Sequence, residues 1–192
     1  MAKLAVFASG TGSNFAALAD HIAGGPHTVT VLVTDRPEAP VTERARERGI
    51  PTFHARYRGR DRSEVEREIV AELERRGCDL IALAGFMRIL TPALVDRFPQ
   101  RIVNIHPSLL PNHPGKQAIE KSFDSGDTEL GITIHIVDYG VDTGPIIVQQ
   151  SFDRREAPDL EAARERIHAL EHQWYPKVVH EVLDRLAQGE TE

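Results

Sequence analysis

The sequence is short of cysteine, of long apolar runs and of basic clusters. Its one cysteine, Cys78, excludes an internal disulfide framework, and its place in G-C-D-L-I-A-L-A-G favours packing at the start of a buried strand over reactivity. No apolar run approaches the ~20 residues that cross a bilayer, and the apolar part of residues 1–10 is too short for a signal peptide. We therefore expect a cytoplasmic protein with no membrane partner.

The charge balance excludes further classes of partner. The chain carries 23 lysines and arginines against 29 aspartates and glutamates, a net charge of −6, with no Lys/Arg block. This balance argues against a nucleic-acid partner but leaves room for a local cationic pocket that binds a small anion. The histidines show no paired metal-ligand spacing and a single thiol forms no thiolate cluster, so no metal is expected. Without a G-x-S-x-G elbow, a hydrolase triad has no support.

What the sequence does contain is an alternation of short apolar strands and amphipathic helices. Strands are predicted over residues 3–8, 29–33, 51–54, 80–84 and 102–106. Between them lie predicted helices that follow residue 14, cover 42–48 and 62–76, and begin at residue 91. Such alternation with short turns predicts right-handed βαβ units and an α/β fold, a Rossmann-like and mostly parallel twisted sheet flanked by helices.

The last third of the chain has a different pattern. A helix is predicted over 116–125, strands over 131–137 and 145–150, and a long helix over 160–186. The two strands predict an antiparallel hairpin added to the parallel sheet, against which the final helix packs. A length of 192 residues indicates one domain.

Residues 100–115, Q-R-I-V-N-I-H-P-S-L-L-P-N-H-P-G, carry the most informative pattern. Asn104 and His106 stand two residues apart on a short apolar strand, so both project from the same face. Open α/β sheets place their chemistry at the carboxyl ends of strands, and the three prolines that follow restrict the loop to few shapes. The pattern predicts a small polar site. A strand end with two solvated polar residues stays open as an alternative.

Two further motifs predict anion binding. The stretch S-G-T-G-S-N, residues 9–14, offers free N–H groups at a helix start. It lacks the third glycine of a dinucleotide loop, where Phe15 stands, and the lysine of a P-loop, so it indicates a phosphate site or a simple helix cap. The stretch Y-R-G-R-D-R, residues 57–62, is the densest cationic segment and predicts either a phosphate contact or a solvated face.

Three single residues have both a structural and a functional interpretation. Asp142 lies in the turn Y-G-V-D-T-G-P, where an aspartate usually bonds its own backbone; if it reached His106, it would favour the protonated imidazole. His135 alternates with isoleucines, which favours a structural role. Glu171 lies in the last helix, where a solvated glutamate is the ordinary case.

Five stretches, in this order and spacing, resemble the phosphoribosylglycinamide formyltransferases, a family within the folate-dependent formyltransferase superfamily. They are A-V-F-A-S-G-T-G-S-N, D-L-I-A-L-A-G-F-M-R-I-L, N-I-H-P-S-L-L-P, G-I-T-I-H-I-V-D-Y-G-V-D-T-G-P-I-I and E-H-Q-W-Y-P. The third stretch marks the wider superfamily, whereas S-G-T-G-S-N and E-H-x-x-Y-P narrow the resemblance to this family. The resemblance spans nearly the whole chain and implies the formyltransferase fold.

The resemblance implies roles for particular residues. Asn104, His106 and Asp142 match the family's catalytic trio. The residues that match the binding site for glycinamide ribonucleotide (GAR) are Gly12, Ser13, Asn14, Pro107 and Glu171. Those that match the folate-binding segments are Arg62, Met87, Arg88, Ile89, Leu90, Val137, Tyr139, Gly140 and Val141, together with Asn104 and Asp142. The Leu110-Pro111 bond matches a bond that is cis in the family.

The resemblance also implies the reaction. 10-Formyltetrahydrofolate, the co-substrate, gives its formyl group to the amine of GAR in purine (IMP) biosynthesis, by direct attack and without a metal. The tetrahedral oxyanion can accept hydrogen bonds from the Asn104 amide and from protonated His106, while Asp142 holds the imidazolium. One formyltransferase domain is expected over 1–192, with a substrate-phosphate half at 1–100 and a catalytic and folate half at 101–192. The sequence leaves monomer and homodimer open.

Some positions depart from the family pattern. His113 stands where the family often has an aromatic residue, and the following K-Q-A-I-E-K-S-F lacks the L-H-x-H pattern of some members. These departures leave the contacts of that loop open, but not the reaction.

Other classes are less well supported. A methionyl-tRNA formyltransferase would add a basic C-terminal domain, and a formyltetrahydrofolate deformylase would add an N-terminal regulatory domain. A sugar-nucleotide formyltransferase fits the core motifs, but the phosphate loop and Glu171 favour a ribose phosphate. A non-enzymatic binding module is disfavoured by the intact set of Asn104, His106 and Asp142.

Overall fold

A seven-stranded sheet organises the chain in the computed structural model, which describes residues 1–189. Its strands are β1 (Lys3–Phe7), β2 (Thr28–Thr34), β3 (Thr52–His54), β4 (Leu80–Leu83), β5 (Ile102–His106), β6 (Glu129–Ile136) and β7 (Ile146–Asp153). The helices are α1 (Ser13–Ile22), α2 (Pro40–Glu47), α3 (Arg62–Arg76), α4 (Pro92–Val95), α5 (Ala118–Asp124) and α6 (Leu160–Gln188), with a 3₁₀ turn at Arg154–Glu156.

The strand order is β3-β2-β1-β4-β5-β6-β7. Strands β1 to β5 run parallel, β6 is antiparallel to β5, and β7 is antiparallel to β6. The predicted mostly parallel sheet with an antiparallel hairpin and a long final helix is confirmed. The order reverses between β1 and β4, and such a reversal opens a crevice at the carboxyl ends of the strands.

Apolar side chains are buried on both faces of the sheet, as parallel strands between helices require. On one face Val6 and Val103 pack with Ile167 of α6, and on the other Phe7 packs with Ile69 of α3. The packing role predicted for Cys78 is confirmed, because its thiol is buried and burial raises its pKa.

Tyr175 joins α6 to the centre of the sheet. Its ring is fully buried, and its hydroxyl lies 2.9 Å from the carbonyl oxygens of both Leu83 and Val103, to which it donates. Residues four apart share a helix face, so this anchor fixes the direction of Glu171 one turn earlier. The start of α6 is fixed by Asp159, whose carboxylate caps the helix by accepting from the Ala162 N–H.

Several boundaries differ from the sequence predictions for local reasons. Helix α2 begins two residues before the predicted 42, because Pro40 suits the first position of a helix. Helix α5 begins at Ala118 because Gln117 has a left-handed backbone. The 3₁₀ turn after β7 was not predicted. Within the described residues, no helix is long and apolar enough to cross a membrane.

Candidate active site

A cavity of about 650 Å³ opens at the carboxyl ends of β1, β4 and β5. It is walled by the loops that follow these strands, by the segment after β6 and by one face of α6. The predicted site residues that line it are Gly12, Ser13, Asn14, Met87, Arg88, Ile89, Leu90, Asn104, His106, Pro107, Val137, Gly140, Val141, Asp142 and Glu171. The fold thus brings together residues from both halves of the chain.

His106 lies between two oxygen acceptors at the end of β5. Its Nε2 is 2.9 Å from the carbonyl oxygen of His113, and its Nδ1 is 3.3 Å from Asp142 Oδ2. A carbonyl only accepts, so Nε2 carries a proton. A neutral ring would then turn the Nδ1 lone pair towards the carboxylate. Only the doubly protonated ring satisfies both acceptors, so the geometry favours an imidazolium.

Asp142 is held with its carboxylate at the centre of the site. Its backbone has a positive φ of 56°, a conformation that aspartate tolerates in a turn, and Gly115 N donates to Oδ2 at 2.8 Å. Burial alone would raise the pKa of Asp142. Contact with the His135 imidazole, the hydrogen bond from Gly115 and the nearby His106 imidazole outweigh burial and lower this pKa below 3.8. Asp142 therefore stays ionised.

His135 belongs to the site. Its alternation with isoleucines had favoured a structural role instead. The antiparallel register pairs it directly with Asn104, so both side chains project from the same face of the sheet. His135 Nε2 lies 3.1 Å from Asn104 Nδ2 and 3.6 Å from Asp142 Oδ1. Its Nδ1 lies 2.8 Å from the Ile136 carbonyl oxygen and must be protonated there.

These contacts fix the orientation of the Asn104 amide. Its Nδ2 donates to Asp142 Oδ1 at 3.4 Å and reaches His135 Nε2, which accepts when that ring is neutral. The reversed amide would place its oxygen against the carboxylate. Asn104 Nδ2 is therefore directed at the same small volume as the His106–Asp142 pair.

The glycine-rich loop (residues 9–12) precedes α1 at the other end of the cavity. Gly12 has φ +76°, and a Cβ there would come within 2.5 Å of Val41 Cγ2, so only glycine fits. The first turn of α1 contains Ser13 and Asn14, whose N–H groups have no partner within the helix. The cationic Lys116 also lines the cavity. This end suits an anion such as a phosphate.

Glu171 lies beside this loop. It is 5% exposed, and its Oε2 accepts from Asn14 Nδ2 at 3.1 Å and lies 2.9 Å from His168 Nδ1. The hydrogen bond with Glu171 raises the pKa of His168, against an opposing effect of burial. The expectation that Glu171 is an ordinary solvated helix residue is thus wrong. His168 also lines the cavity, and no pattern in the sequence predicted it.

The β4–α4 loop (residues 85–90) forms the apolar side of the cavity. Met87 and Ile89 are each 54% exposed, and neighbouring apolar side chains that are exposed together mark a surface for a ligand. Arg62 donates to the Ile89 carbonyl from behind the loop. Tyr139, a predicted folate contact, does not line the cavity; it is 68% exposed, and its hydroxyl donates to Asp96.

The proline-rich loop (residues 107–115) contains His113, one of the departures from the family pattern. The predicted cis bond at Leu110-Pro111 is confirmed. His113 has φ +55°, its carbonyl faces His106, and its side-chain Nε2 lies 2.7 Å from Asp127 Oδ2. An imidazole–carboxylate pair therefore fixes the segment that contacts the predicted catalytic residues.

Among the described residues, one further group has the composition of a metal site. His27, His180 and Asp184 place their ligand atoms within 4.8 Å of one another, between β2 and α6. Ala2 N donates to His27 Nδ1 at 3.2 Å, so the ring proton is on Nε2, which donates to Asp184 Oδ1 at 2.9 Å. In this tautomer His27 has no free lone pair for a metal ion.

Comparisons with known proteins agree with this geometry. The formyl transferase family matches residues 2–179. The phosphoribosylglycinamide formyltransferase of Bacillus subtilis (strain 168) is 42% identical, over 99% of both chains. The trifunctional purine biosynthetic protein adenosine-3 of Drosophila melanogaster is 40% identical over 92% of this chain, which corresponds to 14% of that protein.

Solved structures give the same result. The glycinamide ribonucleotide transformylase 1 of Geobacillus kaustophilus has a TM-score of 0.91 and 46% identity, over 95% of this chain and 99% of that chain. The sheet order, the cavity and the sequence similarity all lead to one conclusion. The chain belongs to the formyl transferase family.

Proposed function

We propose that this protein transfers the formyl group of 10-formyltetrahydrofolate to the primary amine of glycinamide ribonucleotide, a step of de novo purine biosynthesis. The family uses a formyl-tetrahydrofolate as its co-substrate, and relatives similar over their full length are phosphoribosylglycinamide formyltransferases. The products are formyl-GAR and tetrahydrofolate. The absence of a metal, a cytoplasmic location and the oligomeric state stay predictions.

The observation that carries the proposal is the position of His106 and Asp142. Together with Asn104 they lie in one cavity that has an anion-binding end and an apolar end. GAR is a ribose phosphate with an amine, and the folate is a flat ring with an acidic tail. A cavity that holds both must bring the amine and the formyl carbon together where the polar trio lies.

The two ends of the cavity fit the two substrates. The phosphate of GAR lies against the N–H groups of Ser13 and Asn14 at the start of α1. Glu171, a buried carboxylate, accepts hydrogen bonds from the ribose hydroxyls, and Pro107 borders the path to the amine. The folate ring lies against the β4–α4 loop and Val141.

The reaction begins with attack of the GAR amine on the formyl carbon. The carbonyl oxygen becomes an oxyanion, and hydrogen-bond donors preorganised around it lower the barrier by roughly 3–4 kcal/mol each. Asn104 Nδ2 is one donor. Protonated His106 is the other donor: its Nε2–H is held at 2.9 Å by the His113 carbonyl, whereas its Nδ1–H makes the longer contact, 3.3 Å to Asp142 Oδ2, and is the one that turns to the oxyanion as it forms.

Protons must also move from the attacking amine to the leaving N10 nitrogen. Asp142, ionised and next to His106 Nδ1, keeps the imidazolium in place and accepts a proton directly or through a water molecule. Collapse of the tetrahedral intermediate then releases tetrahydrofolate. Because the amine attacks the formyl carbon directly, no covalent enzyme intermediate forms.

The experiment is a formyl-transfer assay with purified protein, 10-formyltetrahydrofolate and GAR, each omitted in turn. We expect turnover only when both substrates are present, and its loss in His106→Ala. Release of formate from the folate without GAR would instead indicate a deformylase. Folate binding without turnover would contradict GAR as the acceptor, and sugar-nucleotide amines would be tested next.

A further inference from the structure

Asp35 is a buried carboxylate that the proposed reaction does not use. It follows the last residue of β2, and its side chain is 2% exposed. Its Oδ1 accepts from the Ser9 hydroxyl at 2.6 Å, and its Oδ2 accepts from Arg88 Nε at 2.8 Å. A buried charge is tolerated when it is paired and hydrogen-bonded in this way.

The two partners of Asp35 belong to different loops of the cavity. Ser9 begins the glycine-rich loop, and Arg88 lies in the β4–α4 loop. The loops are also bonded to each other, because the Ser9 hydroxyl oxygen accepts from Met87 N at 3.0 Å and Ser9 N donates to the Gly85 carbonyl at 3.1 Å. One hydroxyl and one carboxylate therefore hold both loops at their point of contact.

Arg88 is the partner whose direction depends most on Asp35. The Arg88 side chain lines the cavity and is 42% exposed, so no protein group among the described residues holds the guanidinium on the side that faces the cavity. On its protein side, the guanidinium is held by Asp35 and lies 4.8 Å from the centre of the buried Tyr57 ring. Without the carboxylate, only this cation–π contact would remain.

We propose that Asp35 is a positioning residue shared by the two substrate loops. It holds Ser9 so that the glycine-rich loop places the first N–H groups of α1 at the phosphate. It also holds Arg88, and through Ser9 the Met87 backbone, in the wall that meets the folate. This inference rests on the proposed function. It assigns Asp35 to the binding of both substrates and not to the chemical step.

The chemistry requires a carboxylate at this position. Asp35 meets two donors, and a carboxylate is acceptor-only. An asparagine of the same shape has one acceptor oxygen, so its NH₂ group must face either Arg88 Nε or the Ser9 hydroxyl. With the amide oxygen towards Arg88 Nε, the Ser9 hydroxyl must accept from the NH₂ group instead of donating; with the amide reversed, the contact with Arg88 Nε is lost. In both orientations the guanidinium loses its ion pair with a carboxylate.

The test compares Asp35→Asn with wild type in kcat and in KM for each substrate. We expect KM for 10-formyltetrahydrofolate to rise by about 10-fold and KM for GAR by about 3-fold, with kcat within about twofold, because lost uniform binding raises KM alone. Asp35→Ala removes both contacts and should raise both KM values further. If that variant does not fold, the isosteric asparagine variant still decides.

A matched control comes from the opposite end of the sheet. Asp79 accepts from Lys3 N at 2.8 Å, away from the cavity, and Asp79→Asn should leave both KM values unchanged. A purely structural role for Asp35 would lower the melting temperature or the active fraction without changing KM. KM values for Asp35→Asn within twofold of wild type, or an equal change in Asp79→Asn, would overturn the inference.

Two readouts separate this inference from the proposed function. In the double variant Asp35→Asn with Arg88→Met, KM for the folate should rise by less than the product of the two single effects, because the part that acts through the shared Asp35–Arg88 contact does not add. The dissociation constant of 10-formyl-5,8-dideazafolate, measured by calorimetry, should rise about 10-fold in Asp35→Asn even without turnover. Wild-type protein that binds the analogue but transfers no formyl group contradicts the proposed function alone. Wild-type protein that binds neither substrate contradicts both.

Discussion

Two clusters with the same composition occur in this molecule. The cavity cluster is His106, His135 and Asp142, and the α6 cluster is His27, His180 and Asp184. Each contains two imidazoles and one aspartate within a few ångströms. In the cavity cluster the aspartate side chain is 13% exposed, whereas in the α6 cluster it is 48% exposed.

The clusters differ in what the backbone presents to each ring. In the cavity cluster a carbonyl accepts from His106 and leaves its other nitrogen facing a carboxylate, which favours a cation. In the α6 cluster a backbone N–H donates to Nδ1 of His27, and the one ring proton of His27, on Nε2, is donated to Asp184. The surrounding donors and acceptors therefore decide whether a His–Asp pair is available for proton transfer.

Removal of His106 is the most direct way to test this difference. We expect His106→Ala to lower kcat by at least ~10²-fold, because a donor to the oxyanion and a proton carrier are both lost. Thermal unfolding should show that the variant still folds. Turnover within threefold of wild type in purified His106→Ala would contradict the role given to the cavity cluster.

Asp142→Asn tests the charge without changing the shape. We expect a loss in kcat of at least ~10²-fold, because a neutral amide neither holds the imidazolium nor accepts a proton. The lowered pKa of Asp142 also predicts a pH effect. Its contribution to the free energy of unfolding is present above the ordinary value of 3.8 and is lost as the pH falls through the lower pKa of the folded state.

Urea unfolding of wild type and Asp142→Asn over a range of pH measures this contribution. The wild-type advantage should be constant near neutral pH and should shrink only in acid. An advantage that instead grows as the pH falls below 3.8 would contradict the direction of the pKa shift.

His27→Ala tests the other cluster, where stability and not activity should change. The variant loses the contact from Ala2 N and the bond to Asp184 in a buried site, which should cost about 2 kcal/mol of the free energy of unfolding. Asp184→Asn is the matched control, with a smaller cost because its side chain is half-exposed. A kcat of His27→Ala more than fivefold below wild type would contradict the division of roles.

His135→Ala should have an intermediate effect on activity. Removal of the ring leaves one Asn104 N–H without its partner, so the amide loses its fixed direction and kcat should fall by about 10-fold. His135→Gln keeps an oxygen acceptor near that amide and should recover much of the loss. Equal activity in both variants would show that the contact with Asn104 is not what matters.

The parts of the structure that follow from local pattern could be predicted from the sequence. Leu80–Leu83 is a continuous apolar run, as a parallel strand buried on both faces requires. The two-residue spacing of Asn104 and His106 fixes their common face in any strand. The resemblance to the family added Asp142 and Glu171, which no local pattern distinguished from an ordinary turn and an ordinary helix position.

The parts that depend on pairing between distant residues could not be predicted. His135 matters because the antiparallel register of β6 places it opposite Asn104, and alternation with isoleucines does not reveal that register. His27 and Asp184 are 157 positions apart, so no spacing rule identifies their contact. Asp35 is an ordinary turn residue in the sequence, and only the meeting of two loops makes it a shared acceptor.

A further imidazole–carboxylate pair, His168 with Glu171, gives the smallest and most specific test. Like the cavity cluster it lines the site, but its imidazole is 52% exposed. The hydrogen bond with Glu171 raises the pKa of His168 above the ordinary 6.5, against the effect of burial. The stabilisation is therefore fully present below that value and is lost as the pH rises through the folded-state pKa.

In urea unfolding, the advantage of wild type over His168→Gln should be present at acidic pH and should decrease on the alkaline side of 6.5. Because water screens a half-exposed pair, we expect this advantage to be under about 1 kcal/mol. If the advantage of wild type over His168→Gln increased with pH instead, Glu171 would not be the partner that holds the His168 proton.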